Sequence, residues 1–310
     1  MVGSCNGFFR ALEKKTGTVR WSYDTQQDGA AVQFHTDPLV VEDLVVTGSD
    51  GAIAHLYAFE RNTGKPRWKY EVTPGVGADV QRIDSNIYAV TLQDELLCLD
   101  WKTGALVWKF TTGYPTDPSA RSDSTPAVQG NRIFFGSLDG TVYALDAHSG
   151  EVLWKRALPG RISTSVLLGG GSLYAGTSDR HLYRLDPKSG TVAADFKVQD
   201  EPTGRLLFVE ESLVVFFGER KLACVDSSLS AIRWSDTTSG PWSSSRPYLW
   251  DHAVIAGNEQ GEVFAFRLSD GSRLWSQRFD GVIRGVGSSE GTLYVGTLKG
   301  KVFAWRAGIH

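Results

Sequence analysis

A glycine followed four residues later by a tryptophan recurs at Gly17/Trp21, Gly64/Trp68, Gly104/Trp108, Gly150/Trp154 and Gly271/Trp275. Ser230/Trp234 keeps the tryptophan without the glycine, and Gly190/Ala194 keeps the glycine without the tryptophan. The seven positions 21, 68, 108, 154, 194, 234 and 275 lie 47, 40, 46, 40, 40 and 41 residues apart. A period near 40 residues means one supersecondary unit repeated along the chain. No single unit of that size buries both of its faces, so successive units must stack.

Each unit reads as four short strands, called A to D from inner to outer. In the clearest unit, strand A begins at Pro126–Val128, B is Arg132–Gly136, C is Thr141–Leu145 and D is Glu151–Lys155. Alternating apolar and polar residues with β-branched and aromatic side chains fit strands, and Asp139-Gly140 marks a tight B–C hairpin. Between C and D an acidic residue (Glu13, Glu60, Asp100, Asp146, Asp186, Asp226) precedes by four the turn glycine, or Ser230 in the case of Asp226. Its carboxylate is placed to accept turn N–H groups, so these carboxylates specify the fold and are not catalytic. The tryptophans on strand D are expected to staple each blade to the next, with a weaker joint after Ala194.

Eight C strands, centred on Leu12, Phe59, Leu99, Leu145, Leu185, Val225, Phe266 and Trp305, predict an all-β propeller of eight four-stranded antiparallel blades. The first blade lacks strand A and the last lacks strand D. On this reading residues 1–310 are a single propeller domain, N-terminally incomplete, whose last blade presents an open edge prone to association. The alternative is a seven-blade ring in which Thr18–Tyr23 docks beside Lys301–Ala307 and residues 1–16 are displaced.

Composition removes several function classes. The 310 residues include 34 glycines, 10 tryptophans and one methionine, and the net charge is −3, without the basic stripe expected of a nucleic-acid binder. No apolar run approaches the ~18 residues of a membrane span, and the N-terminus does not read as a signal peptide. Cys5, Cys98 and Cys224 give no even disulfide framework. There is no Cys/His metal spacing, no phosphate-cradling glycine loop and no nucleophile elbow.

The segment Tyr-Ala-Leu-Asp-x-x-Ser-Gly-x-x-x-Trp at Tyr143–Trp154 resembles the repeat of pyrroloquinoline-quinone-like (PQQ-like) proteins, and the resemblance covers nearly the whole chain. WD40 units put Trp-Asp at the end of strand C; this chain has Leu-Asp or Phe-Glu there, which disfavours that family. The PQQ-like family includes a propeller lipoprotein of the outer-membrane protein assembly machinery, in which the repeat is a scaffold for protein partners. It also includes quinoprotein dehydrogenases, which hold PQQ and calcium at the channel mouth. The alcohol-oxidising group of those enzymes carries an adjacent cysteine pair, absent here. The resemblance therefore implies a non-catalytic scaffold for a protein or peptide partner in the periplasm or cell envelope, without a cofactor. A quinoprotein dehydrogenase and a sensor domain of a larger signalling protein are the alternatives.

Residues just before strand A occupy equivalent places around the channel mouth. One column reads Asp37, Asp79, Thr125, Ser165, Arg205, Arg246, Gly285, and the preceding one reads Thr36, Ala78, Ser124, Thr164, Gly204, Ser245, Arg284. In an eight-blade ring Asp37 is expected to face Arg205, and Asp79 to face Arg246. His35, Arg121, Asp123 and Arg161 lie nearby. The expected binding residues are Asp37, Asp79, Arg205, Arg246, Arg284, His35, Arg121, Asp123 and Trp242, with no metal ligand. The competing reading has these charges pairing with neighbours and capping strand ends. The connections Ser22–Asp37, Thr111–Thr125 and Ser235–Arg246 lead into the same face, with Tyr114 a further aromatic anchor.

Overall fold

The computed structural model describes residues 1–30, 32–114, 122, 124–242 and 246–306. Arg121 and Asp123 fall outside them. The strands form eight sheets in chain order. In the segment Met1–Val166, blade 1 is β1 (Val2–Gly3), β2 (Phe8–Leu12) and β3 (Val19–Asp24). Blade 2 is β4 (Leu39–Val41), β5 (Leu44–Gly48), β6 (His55–Glu60) and β7 (Pro66–Glu71). Blade 3 is β8 (Gln81–Ile83), β9 (Asn86–Val90), β10 (Glu95–Asp100) and β11 (Leu106–Thr111). Blade 4 is β12 (Ala127–Gln129), β13 (Arg132–Gly136), β14 (Thr141–Asp146) and β15 (Val152–Ala157).

The second compact unit, Leu167–His310, repeats the plan. Blade 5 is β16 (Leu167–Gly169), β17 (Ser172–Thr177), β18 (His181–Leu185) and β19 (Val192–Lys197). Blade 6 is β20 (Pro202–Val209), β21 (Ser212–Phe217), β22 (Lys221–Asp226) and β23 (Ile232–Thr237). Blade 7 is β24 (Tyr248–Trp250), β25 (Ala253–Gly257), β26 (Glu262–Arg267) and β27 (Arg273–Arg278). Blade 8 is β28 (Ile283–Ser289), β29 (Thr292–Thr297) and β30 (Val302–Trp305). The fold is an eight-blade β-propeller of antiparallel sheets, the first and last blades having three strands each.

The seven-blade alternative is overturned. Residues 2–12 are not displaced: β2 pairs with both β1 and β3, in registers Phe9↔Gly3 and Ala11↔Trp21. Burial is the physical reason. Phe9 is fully buried, stacked on Phe59 at 5.2 Å and packed with Trp21, Tyr23, Phe34 and Tyr57. Removing β2 would expose that aromatic cluster to water.

Burial follows strand position. The C strands β6, β10 and β14 are buried along their four middle residues, while in the D strand β7 only Trp68 is buried. Four D-strand tryptophans reach into the next blade with both ring and indole N–H. The indole N–H of Trp21 donates to Arg61 O at 2.9 Å, Trp68 to Trp101 O at 2.9 Å, Trp108 to Ala147 O at 3.1 Å and Trp234 to Leu268 O at 2.7 Å. The ring lies against the C–D turn glycine of that next blade. A Cβ on Gly64, Gly104, Gly150 or Gly271 would fall 2.4, 2.6, 2.7 or 2.6 Å from Trp21, Trp68, Trp108 or Trp234. Trp154 packs on Phe134, Trp275 packs edge-on against Trp305, and Gly190 closes its turn onto Asp186 O.

Blade 5 has Ala194 where the tryptophan would stand, and blade 6 has Ser230 where the facing glycine would be. Both departures belong to one joint. Leu229, buried and at φ +61°, joins the cluster that includes Ala194, Tyr174 and Phe208. A buried aliphatic side chain from the turn thus stands at the joint that lacks the indole. The left-handed backbone at a leucine costs about 1–2 kcal/mol.

The C–D turns are capped by aspartates. Asp100 accepts from the Lys102 and Thr103 N–H groups at 3.1 and 2.8 Å, Asp146 from His148 and Ser149 at 2.9 Å each, and Asp186 from Lys188 and Ser189 at 2.8 Å each. The Ser149 and Ser189 amides hold Asp146 and Asp186 below the usual carboxylate range, and the Ser272 hydroxyl does so for Asp270. At Asp100 and Asp226 desolvation pushes upward, but hydrogen bonds from Thr103, and from Ser228, Ser230 and Ala231, outweigh it; Asp226 falls to about 2. A depressed folded value stabilises above the unfolded value and loses that contribution as pH falls through the folded one. Burial raises Asp94 instead, opposing this trend at one position. The melting temperature is expected to be level between about pH 5 and pH 8 and to fall between about pH 4 and pH 2, read by thermal unfolding across pH.

Candidate functional site

The residues preceding strand A form two sets of latches within Met1–Val166. In the first set, hydroxyls tie the connection to its own blade. Thr36 Oγ1 lies 2.9 Å from Thr47 Oγ1 and accepts from Gly48 N at 3.2 Å, and Ser124 Oγ accepts from Gly136 N at 3.4 Å. In the second, one residue later, each backbone N–H reaches the equivalent side chain of the next blade. Asp37 N donates to Asp79 Oδ1 at 2.6 Å, Asp79 N to Thr125 Oγ1 at 3.2 Å, and Thr125 N to Ser165 Oγ at 3.0 Å.

The column therefore works as a relay from blade to blade, with Asp79 buried and Asp37 exposed. The neighbouring glycines seal the same end. A Cβ on Gly3, Gly48 or Gly136 would meet Phe34, Val76 or Ile162 at 2.4, 2.7 or 2.4 Å.

Within Leu167–His310, Arg205 is buried, Arg246 half-buried and Arg284 exposed. The Trp242 ring is taken up by Phe216, Phe264 and Phe266, at centroid separations of 5.5, 5.8 and 6.3 Å. Its indole thus packs against the core of blades 6 and 7, and its backbone bridges to Asn258.

The B–C hairpins reach the same end of each blade, and polar groups there meet only when blades stack, so no short sequence motif marks them. Asp94, buried, accepts from Leu138 N at 3.2 Å, from Thr112 Oγ1 at 3.2 Å and from the Ser137 hydroxyl, joining blade 3 to blade 4. Burial pushes this carboxyl upward, against those donors. Asp28, in the short 3₁₀ turn Thr25–Asp28, accepts from the Tyr23 and Tyr57 hydroxyls at 2.8 and 3.0 Å and pairs with Lys69 Nζ at 2.5 Å. Desolvation alone would raise Asp28, but Lys69 and the two tyrosines bring it below the ordinary value. Exposed His35 stands between Cys5 Sγ at 3.6 Å and buried Asp50 Oδ1 at 3.0 Å.

A family profile described as "Outer membrane protein assembly factor BamB" matches residues 1–118 and 92–308. The chain belongs to this PQQ-like family. The BamB of Yersinia pestis is 27% identical over 172 residues, covering 51% of this chain and 44% of the relative. A quinoprotein ethanol dehydrogenase of Pseudomonas aeruginosa is 24% identical, covering 60% of this chain and 32% of the relative. The chain thus spans less than half the length of these two curated relatives. The crystal structure of BamB from Moraxella catarrhalis superposes with a TM-score of 0.80 at 18% identity, covering 99% of this chain and 91% of the other.

Family kinship to quinoproteins raises the question of PQQ and calcium. Calcium takes about six to eight oxygen ligands, carboxylates prominent among them. At the relay, one Asp79 oxygen and the Thr125 and Ser165 hydroxyls are already engaged by backbone N–H groups. Among the described residues no three His, Cys, Asp or Glu side chains are grouped to hold a metal ion. This donor set does not fit a calcium-held quinone. No helix among the described residues is long and apolar enough to cross a membrane.

Proposed function

We propose that the chain is a non-catalytic scaffold that binds a protein or peptide in the cell envelope, through the connections and hairpins at the strand-A-start end of its blades. The observation that carries this reading is the relay Asp37–Asp79–Thr125–Ser165. It uses the recurrent polar positions of the rim to lock blade to blade, which leaves a rigid base under exposed loops. Rigid scaffolds with exposed loops are the usual platform for recognition. Kinship to proteins named for outer-membrane protein assembly agrees with an envelope partner. Within Leu167–His310, Arg246 and Arg284 are cationic groups suited to an anionic segment of a partner.

A photo-crosslinking residue at exposed Gln33 or Glu259 is expected to capture a discrete protein partner in cells. The same probe at Lys102 or Lys188, in C–D turns at the opposite end of the blades, is expected to capture none. Equal capture from both ends would remove the proposed surface. Titration with calcium and PQQ is expected to leave the cofactor's absorbance unchanged, and stoichiometric binding would overturn the reading.

A further inference from the structure

Strand C carries a small residue in the same column of seven blades: Ala11, Ala58, Cys98, Ala144, Cys224, Ala265 and Ala304. In six of these blades the register sets that residue opposite the D-strand tryptophan, from Ala11↔Trp21 to Ala265↔Trp275. Blade 5 inverts the pair, with Arg184 on strand C opposite Ala194 on strand D. The other cross-strand neighbour of Arg184 is Tyr174, which packs with Leu206, Leu213 and Val215 of blade 6. Residues paired across strands share a sheet face, so Arg184 stands on the face of blade 5 that meets blade 6. The bulky side chain thus sits on strand C rather than on the outer strand, and it carries a charge.

The six small residues opposite a tryptophan are at most 4% exposed, whereas Arg184 and Ala194 are half-buried, so solvent reaches this seam where it is excluded from the others. Arg184 Nε is nevertheless buried and has no hydrogen-bond partner, and among the described residues the guanidinium joins no ion pair. The polar groups of the joint are engaged with one another: Ser227 O accepts from the Tyr174 hydroxyl at 2.8 Å, and Glu211 Oε2 accepts from the Ser227 hydroxyl at 2.9 Å. Burial raises the pKa of the Tyr174 hydroxyl and the Arg184 charge acts against it, which places that charge beside the tyrosine of the seam. A guanidinium cannot shed its proton when buried, so the cost of taking it from water is offset only where an anion meets it.

We propose that the seam between blades 5 and 6 binds a small oxyanion, a phosphate or carboxylate group, on the Arg184 guanidinium. The planar guanidinium presents its donors as a fork that matches two oxygens of such a group. Half of the missing tryptophan's work is already done by Tyr174, whose hydroxyl bonds Ser227 O, the counterpart of Arg61 O, Trp101 O, Ala147 O and Leu268 O at the four tryptophan joints. The anion supplies the other half by neutralising the charge that stands in the indole's place. An anion held only by the folded seam also stabilises the fold. Arg184 lies two residues before the Asp186 turn, in the half of the blade opposite the proposed partner surface, so the site and the scaffold reading stand or fall separately.

The test titrates the full chain with inorganic phosphate and, separately, with acetate, by isothermal calorimetry at fixed ionic strength. A single saturable site is expected for at least one of the two, weakened roughly tenfold or more in Arg184→Gln, the loss expected for charge-assisted hydrogen bonds. Saturation by phosphate alone assigns a phosphate site, and saturation by acetate alone a carboxylate site. Circular dichroism checks that the variant is folded, and Arg184→Met, which keeps the length without a donor, carries the same comparison if it is not. Thermal unfolding gives a second reading. Phosphate stabilises folded proteins in general by exclusion from their surface, so the quantity read is the gain in melting temperature from chloride to phosphate, expected to be larger in the parent than in the variant. Binding of neither anion by the parent, or a folded variant that binds as tightly and gains as much, overturns the site.

Discussion

Gly64→Ala is expected to lower stability by about 2–4 kcal/mol, whereas Gly17→Ala costs only about 1 kcal/mol. Both glycines sit at φ +72° in equivalent C–D turns, so the backbone strain of a side chain is common to both. The difference lies in what the new methyl group meets. At Gly64 it falls 2.4 Å from the Trp21 ring, while at Gly17 nothing lies within 4 Å. Overpacking of a well-filled joint forces the ring off its position and weakens the bond from Trp21 Nε1 to Arg61 O. Urea denaturation of the two variants reads the comparison, and equal losses would show that the close approach contributes nothing to the joint.

Trp68→Ala is expected to cost about 3–5 kcal/mol, the range for emptying a large buried aromatic site. The indole is 8% exposed, belongs to the cluster joining blades 2 and 3, and donates to Trp101 O. Trp68→Phe keeps much of the packing but removes that donor, and its expected cost is smaller, about 1–3 kcal/mol. Coupling sharpens the test. In a Trp68→Ala background, Gly104→Ala loses the ring it would strike at 2.6 Å, so its penalty is expected to shrink to the backbone strain alone. Simple additivity of the two substitutions would place the stabilisation elsewhere.

The eight blades were legible because period and alternation are local properties: the Gly-to-Trp step, the Asp-Gly hairpins and the eight C strands all lie within one repeat. The partner across each joint was not local. Trp68 and Gly104 read separately as marks of the repeat, yet they meet only when two units stack. Asp37 and Asp79 were recognisable as one column around the mouth, but that Asp79 would take the Asp37 amide required the register between blades. Trp242 read as a surface aromatic because its segment is polar and glycine-rich, while its ring finds Phe216 and Phe264 from two other strands. Arg184 left one signal, a charged residue in a strand-C column that is otherwise alanine or cysteine. Searching for ligand spacing within a short motif passes over a site assembled by the stacking period.

The Ala194, Leu229 and Ser230 joint bears on how such a chain can be rearranged. A repeat is copied as one stretch of sequence, but every seam is made of halves from two copies. At four joints the D-strand tryptophan lies against the next blade's turn glycine, where a side chain would strike the ring, and blade 6 has Leu229 and Ser230 at that turn, so a predecessor ending in tryptophan is expected to fit it poorly. Exchange of blades within the chain is therefore restricted by compatibility at the seams. Blades 5 and 6 are therefore expected to tolerate duplication or grafting best when moved together.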